Sequence, residues 1–317
     1  MSRMNNKILL GIFALLLVIY FASKMLGGNQ KSSFDPQIVQ VDTSSVDKII
    51  IHPKGAPDQT FTLDRSSGKW VAKNSMMQVD AVAGSVSSLL NQLTSIRAKR
   101  VVSKSPDKWG SYEVDEGSGT RVEVFSNGKS IEDFIVGAFK YDQTTQSASS
   151  YIRNTSKDDV FVVDGFLAMS FNQQFNNFRN KQLFKVNQND ITEVSLTNGP
   201  DRQTFQKIDG QWFFAGMEAV DSTNMAGYIN GLASVNGSEF ADQFRASNAQ
   251  IVQQLDIEAN NLMQELKVTA YTNPIGDKPF VIHSTMNPEA YFYSDSTGLY
   301  QKLFGKLSDL KSGQGDF

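Results

Sequence analysis

The segment from Val46 to Leu93 returns in shorter form from Ile191 to Leu232. A chain that repeats itself on this scale builds two similar bodies rather than one continuous core. In the first copy Ile49 and Ile51 lead through Phe61, Leu63 and Arg65 to Gly68-Lys69-Trp70, then to Val79-Asp80 and an apolar helical stripe. In the second, Val194 and Leu196 lead through Thr204, Phe205 and Lys207 to Gly210-Gln211-Trp212, then to Val220-Asp221 and a similar stripe. The tryptophans lie 142 residues apart (212 − 70) and the aspartates 141 (221 − 80). Each tryptophan reads as a core anchor of its copy.

Within each copy, alternating apolar residues predict strands, and Ser67-Gly68 turns the chain back, so a three-stranded antiparallel meander is expected. Asp80 stands where a helix cap is needed before Val82, Val86, Leu89, Leu90 and Leu93, and Asp221 before Met225, Tyr228, Ile229 and Leu232. Further strands are expected at Val101-Val102, at Val122 to Phe125, after an Asn127-Gly128 hairpin turn at Phe134 to Val136, at Tyr151 to Arg153 and at Val160 to Val163. A helix over about 166–178 closes the first half. The second half repeats the order through Leu266, Phe280 and Tyr291 to a helix over about 300–310. The expected fold class is α+β, an N-terminal transmembrane helix followed by two similar repeats of antiparallel sheet with packed helices. Its expected divisions are a cytoplasmic N-terminus 1–7, an anchor 8–26, a tether 27–43, a first repeat 44–180, a seam 181–189, a second repeat 190–311 and a tail 312–317.

The anchor rests on Ile8 to Ala22, a run without a charge that extends to Leu26 if Lys24 snorkels. Nineteen such residues in a helix reach about 28 Å, close to the hydrocarbon thickness of a bilayer. Arg3 and Lys7 precede the run and no acid appears before Asp35, which places the N-terminus inside and the remainder across the membrane. A cleavable signal peptide is the alternative, but no small-x-small cleavage site stands at Ala22-Ser23-Lys24.

Composition narrows the chemistry. The chain holds 30 basic and 33 acidic residues, so a polyanion partner such as nucleic acid is not expected. It has no cysteine, which excludes disulfides, thiolate metal sites and thiol catalysis. Only His52 and His283 carry imidazoles, and they lack any His-x-x-x-His or His-x-His spacing, so both read as solvated surface residues. Gly128-Lys129-Ser130 lacks the upstream glycine of a phosphate loop, and Gly117-Ser118-Gly119 reads as a turn rather than a nucleophile elbow. Ser66-x-x-Lys69 and Ser105-x-x-Lys108 have serine–lysine spacing, yet no Ser-Asp-Asn or Lys-Thr-Gly follows. No catalytic, cofactor or metal residue is assigned. The densest basic stretch, Arg97, Lys99, Arg100, Lys104 and Lys108, is a candidate surface for a partner or for lipid headgroups, with a charge-protected edge strand as the bland alternative.

Several of these features occur together in a known family. The N-terminal anchor, Gly68-Lys69-Trp70 followed by Val79-Asp80, Asp133-Phe134-Ile135-Val136-Gly137, Tyr151-Ile152-Arg153 and Phe178-Arg179-x-Lys181 resemble the bacterial domain of unknown function family 4340. The resemblance implies a membrane-anchored, duplicated α+β protein, often encoded beside gliding-motility-type ABC transporters. It also implies an accessory role at the inner membrane, with ABC-type transporter subunits as partners and the C-terminal part in the periplasm. An anchored hydrolase acting on envelope polymer, or a structural spacer, remain the alternatives. The family carries no catalytic residues to transfer.

Overall fold

The computed structural model describes residues 37–310, apart from 66, 216, 217, 261, 275, 308 and 309, together with 11, 13 and 15–18. Those last six are helical and their side chains are exposed; the rest of the expected anchor lies outside the described residues. Among the described residues no helix is long and apolar enough to cross a membrane. The chain divides into two compact units, Met1–Asn177 and Phe178–Phe317.

The first unit contains strands β1 (Val46–His52), β2 (Phe61–Asp64), β3 (Val71–Lys73) and β4 (Gln78–Asp80), then helix α1 (Ala83–Ser95) and β5 (Ala98–Ser103). A short helix α2 (Trp109–Tyr112) leads to β6 (Thr120–Ser126), β7 (Lys129–Asp142), β8 (Ser147–Asn154), β9 (Val160–Asp164) and helix α3 (Leu167–Phe171). All nine strands form one antiparallel sheet in the order β4-β3-β2-β1-β6-β7-β8-β9-β5. The meander therefore has four strands, not three, because Val71 to Lys73 pair onward with Gln78 to Asp80. Alternation puts Ile49, Ile51, Phe61, Leu63, Val122, Val124 and Phe134 on one face, fully or almost fully buried. Val86, Leu89, Leu90 and Leu93 of α1 are buried as the stripe predicts, whereas Val82, expected at its start, is the exposed N-cap residue ahead of the helix. The closing helix is shorter than expected: α3 ends at Phe171, and a 3₁₀ turn follows at Phe175–Phe178.

The second unit starts with β10 (Gln182–Lys185), so the 181–189 segment expected as a seam includes a strand of this unit. It continues with β11 (Ile191–Asn198), β12 (Asp201–Ile208), β13 (Gln211–Phe214), β14 (Glu218–Ala219), helix α4 (Ser222–Leu232) and β15 (Ser234–Asn236). Then come β16 (Ile251–Ala259), β17 (Leu266–Thr272), β18 (Phe280–Ser284) and β19 (Asn287–Ser294), closed by a π turn at Gln301–Gly305. The main sheet runs β14-β13-β12-β11-β16-β17-β18-β19, which is the first unit's order without its last strand. The counterpart of that strand is still visible. Val101 pairs with Phe161 in the first unit, and Phe240 makes an isolated bridge to Phe292 in the second, while β15 just before it pairs with β10 instead.

Register makes the duplication exact at most positions and corrects it at one. Asp64 opposite Val71 matches Gln206 opposite Phe213, and Gly68 and Gly210 sit in the same turn with φ of 86° and 84°, a conformation glycine adopts freely. Beyond the third strand the first copy is longer, so Asp80, opposite Val71, corresponds to Ala219, opposite Phe213. Asp221 does cap its helix, accepting the Asn224 N–H at 2.7 Å. Asp80 does not: it ends β4, and the N-cap of α1 is Val82, with no side-chain bond. Trp212 is buried, whereas Trp70 is half-buried with the Arg65 guanidinium 5.2 Å from its ring, so only the second tryptophan is a core anchor.

Candidate functional site

In each unit, the sheet face turned away from the helices carries the polar residues of the strand alternation, and there the ionisable groups converge. Arg121 and Glu123 flank Val122 on β6, so both project from this back face. The Arg121 guanidinium makes a two-pronged contact with Asp133 on β7, at 3.0 and 2.8 Å, and approaches Glu123 at 3.7 Å. His52, at the end of β1, bridges the Thr60 hydroxyl at 3.0 Å and the Glu123 carboxylate at 2.9 Å. It is not a freely solvated histidine, since Thr60, just before β2, and Glu123 on β6 hold both ring nitrogens. Burial pushes the Asp133 carboxyl up, but Arg121, Thr155 and the charge of His52 outweigh it and hold the group below its ordinary value. Bonding to Asp133 raises the Arg121 guanidinium in turn.

Beside this network the segment 106–119 lies across the same face. Val114, Ile135 and Val160 form a small buried cluster with Trp109, Tyr112 and Tyr151 around it, and Tyr112 meets Tyr151 at 4.7 Å between centroids. Arg153 fastens the segment: its Nε donates to the Val114 carbonyl at 3.0 Å, Nη1 reaches the Thr155 and Lys157 carbonyls at 3.3 and 3.4 Å, and the guanidinium lies 3.7 Å from the Trp109 ring. Burial lowers its pKa, against the opposing pull of the Glu116, Asp158, Asp115 and Asp133 charges. Gly137 completes the fit, because a Cβ there would stand 2.1 Å from the Tyr112 carbonyl oxygen and 2.8 Å from that of Glu113.

The second unit keeps the frame and changes the residues. Val124 and Ile257 occupy the same register, each opposite its first-strand partner Ile49 or Val194, so Asp256 stands where Glu123 does. Its cation comes from another strand: Arg202 on β12 contacts Asp256 at 3.2 Å and Glu193 at 3.9 Å, and Gln254 donates to Asp256 at 3.0 Å. The covering segment here presents Phe244, whose ring lies 5.4 Å from both Tyr271 and Tyr291. His283, the counterpart of Arg153, stacks on Tyr291 at 4.5 Å and meets the Pro288 carbonyl at 3.2 Å. Burial lowers its pKa, against the pull of that carbonyl. It too is a half-buried, partnered ring rather than a solvated one.

The five basic residues singled out in the sequence are all exposed, but they do not form one patch. Arg97, Lys99 and Arg100 lie at one end of β5, beside the end of β9; Lys104 and Lys108 follow its other end, about 17 Å away along a six-residue strand. β5 is the last strand of its sheet, so these charges also guard an open edge. Sequence reasoning missed Arg121, Glu123 and the role of Arg153. Their signals were present: charges alternating with Val122 and Val124, and an arginine between two strand residues.

Among the described residues no group of three or more histidine, aspartate and glutamate side chains is placed to hold a metal ion. What the arrangement defines is a duplicated α+β protein whose back faces are braced by arginine–carboxylate networks and covered by pinned segments. The chain matches the family described as Domain of unknown function (DUF4340) over residues 73–256. That match spans more than half of its length and reaches into both units, and the chain belongs to this family. No curated protein and no solved structure matches it.

Proposed function

We propose that this chain is a non-catalytic accessory or substrate-engaging component of a cell-envelope transport system of the ABC type. In this reading residues 8–26 hold it at the inner membrane and both units face the periplasm. One observation carries the reading: the residues through which the chain resembles its family build architecture. Asp133 braces β7 to β6, Phe134 enters the core, Gly137 admits the covering segment, Tyr151 and Arg153 hold that segment, and Arg179 forks onto Asp242 at 2.8 and 2.7 Å while lying over Phe240. Features used to make two braced, covered sheets favour presentation of surface over turnover.

A hydrolase acting on envelope polymer would need two carboxyl groups facing a cleft, one of them kept protonated. Glu123 and Asp133 are instead joined through Arg121, and Asp133 is held ionised, which favours the accessory reading. The test is purification of tagged full-length protein in mild detergent. Transporter subunits should co-purify, and cysteines placed singly at Gln59 and Ser296, both exposed, should react with an impermeant thiol reagent in intact spheroplasts. Purification of the chain alone, or labelling only after lysis, overturns the proposal.

A further inference from the structure

At one end of the first sheet, aromatic side chains that a folded unit ordinarily buries stand in solvent. Phe139, Tyr141, Phe166 and Met169 are 39, 50, 56 and 59 % exposed. Phe139 stacks on Phe166 at 5.6 Å between centroids; Tyr141 follows two residues along β7, and Met169 stands one turn on from Phe166, its N–H donating to the Phe166 carbonyl. Strand register leads from Phe139 to the basic end of β5: Phe139 lies opposite Ser150, Ser150 opposite Val163, and Val163 opposite Ala98. Arg97, Lys99 and Arg100, beside Ala98, therefore stand at the same end of the sheet, three strands or about 14 Å from Phe139. Arg97 is held at the end of α1 by the Thr94 and Ile96 carbonyls, each at 3.1 Å. Lys99 meets Asp164 at 3.1 Å, but both are more than half exposed, so that pair binds weakly and leaves the lysine available.

Edge protection accounts for the charges on β5 but not for the rings, which add an apolar surface where a protected edge calls for none. The fold does not require either feature. By register the second unit has Thr272, opposite Phe280, where the first has Phe139, opposite Ser150. On the segment aligned by the Val101–Phe161 and Phe240–Phe292 pairings, it has Asn236, Ser238 and Glu239 in place of Arg97, Lys99 and Arg100.

We propose that this end of the first unit docks on an anionic lipid surface. The exposed rings would lie at headgroup depth, where aromatic side chains partition well, and the three cations would face lipid phosphates. This deepens the membrane reading above by giving the first unit its own contact with the bilayer, and it does not require residues 8–26 to insert. The reach is sufficient if they do. The chain enters the unit at Gln40, whose N–H donates to Glu132, seven strand residues or about 24 Å from Phe139, and residues 27–38 can span at most about 40 Å.

Because the chain has no cysteine, Met169→Cys, and Ser130→Cys at the other end of β7, can each carry a polarity-sensitive fluorophore on the full chain. The labelled proteins are mixed with vesicles of phosphatidylcholine alone or with added phosphatidylglycerol. The dye at 169 should shift to the blue only with the anionic lipid, reversibly in high salt, and the dye at 130 should not respond. Arg97→Gln, Lys99→Gln and Arg100→Gln together should lower the docked-to-free ratio on the order of a hundredfold. Phe139→Ser with Phe166→Ser should abolish the shift while circular dichroism stays unchanged. No response at 169 with anionic vesicles, or an equal response with neutral ones, overturns the proposal. Alkaline washing of the same vesicles reports the anchor separately: a chain that stays bound but is silent at 169 refutes docking and not the anchor, and one that washes off yet responds does the reverse.

Discussion

Replacing Gly137 by alanine should detach the segment 106–119 from the back of the first sheet. The added Cβ would stand 2.1 Å from the Tyr112 carbonyl oxygen, 2.7 Å from a Val114 methyl and 2.8 Å from the Glu113 carbonyl oxygen. Two of these are backbone atoms, so no rotamer change relieves them, and the segment must retreat by about 1 Å to restore ordinary contact. Overpacking of this kind costs roughly 1–3 kcal/mol. Retreat also lets water reach Val114, Ile135 and Val160, all fully buried, and exposing any one of them completely costs about 1.5–3 kcal/mol. A loss of about 3 kcal/mol is expected. The assay is urea unfolding followed by Trp109 emission with Trp70 and Trp212 replaced by phenylalanine, since the Trp109 indole N–H donates to the Asp158 carbonyl at 3.1 Å and its ring carries Arg153. Emission should shift to the red and protease should cut within 106–119 at lower urea than in the parent. A variant within about 0.5 kcal/mol of the parent, with unchanged emission, would refute the close-approach account of Gly137.

Asp221→Ala should cost about 1 kcal/mol as a lost cap, whereas Asp80→Ala, at a position with no capping bond, should stay within about 0.5 kcal/mol in the same urea titration. Gly231→Ala, inside α4 with only the Lys302 chain at 4.0 Å, should stabilise by roughly 0.5–1 kcal/mol. Tyr228→Phe should cost about 1–2 kcal/mol, because the buried hydroxyl donates to the Leu303 carbonyl at 2.7 Å and nothing replaces it. Asp133 has a folded pKa below its ordinary 3.8, so its contribution is present above that value and disappears as pH falls through the folded pKa. Asp133→Asn should therefore flatten the loss of stability below about pH 4, while lowering stability at neutral pH.

The periodic features were legible because they are local. The α1 and α4 stripes match one for one, Val86, Leu89, Leu90 and Leu93 against Met225, Tyr228, Ile229 and Leu232, all buried. The Asn127-Gly128 turn has φ of 52° and 72°, the left-handed pair that a two-residue hairpin needs. Asp80 misled because a Val-Asp pair precedes both helices, while a longer hairpin in the first copy moves its aspartate back into a strand, a shift only strand pairing reveals. The back-face networks were hidden for another reason. His52 and Glu123 are 71 residues apart, Arg202 and Asp256 are 54, and neither pair has a periodic signature. Arg153 read as one charge in a strand, and its burial follows from a segment that begins 47 residues earlier.

The two units separate what this frame requires from what each copy has added. A carboxylate persists at one register position, Glu123 or Asp256, although its cation reaches it from the same strand in one unit, through Arg121, and from a different strand in the other, through Arg202. A position that keeps its charge while its partner changes strand is under constraint from the face itself, where an unpaired group beside a covering segment would be costly. Positions that differ outright are free of that constraint. Arg153 and His283 stand at one register, yet one pins a segment through carbonyls and the other stacks on a tyrosine; the exposed rings and cations at the end of the first sheet have no counterpart in the second. Activity that depends on the shared frame should suffer alike from damage to either unit. Contact with a partner specific to the first unit should be lost by changing Phe139, Phe166 and the β5 cations, and should survive the corresponding changes at Thr272, Asn236, Ser238 and Glu239. That asymmetry is the expected mark of divergence upon a common fold, and it distinguishes the docking proposed for the first unit from any role of the frame the two units share.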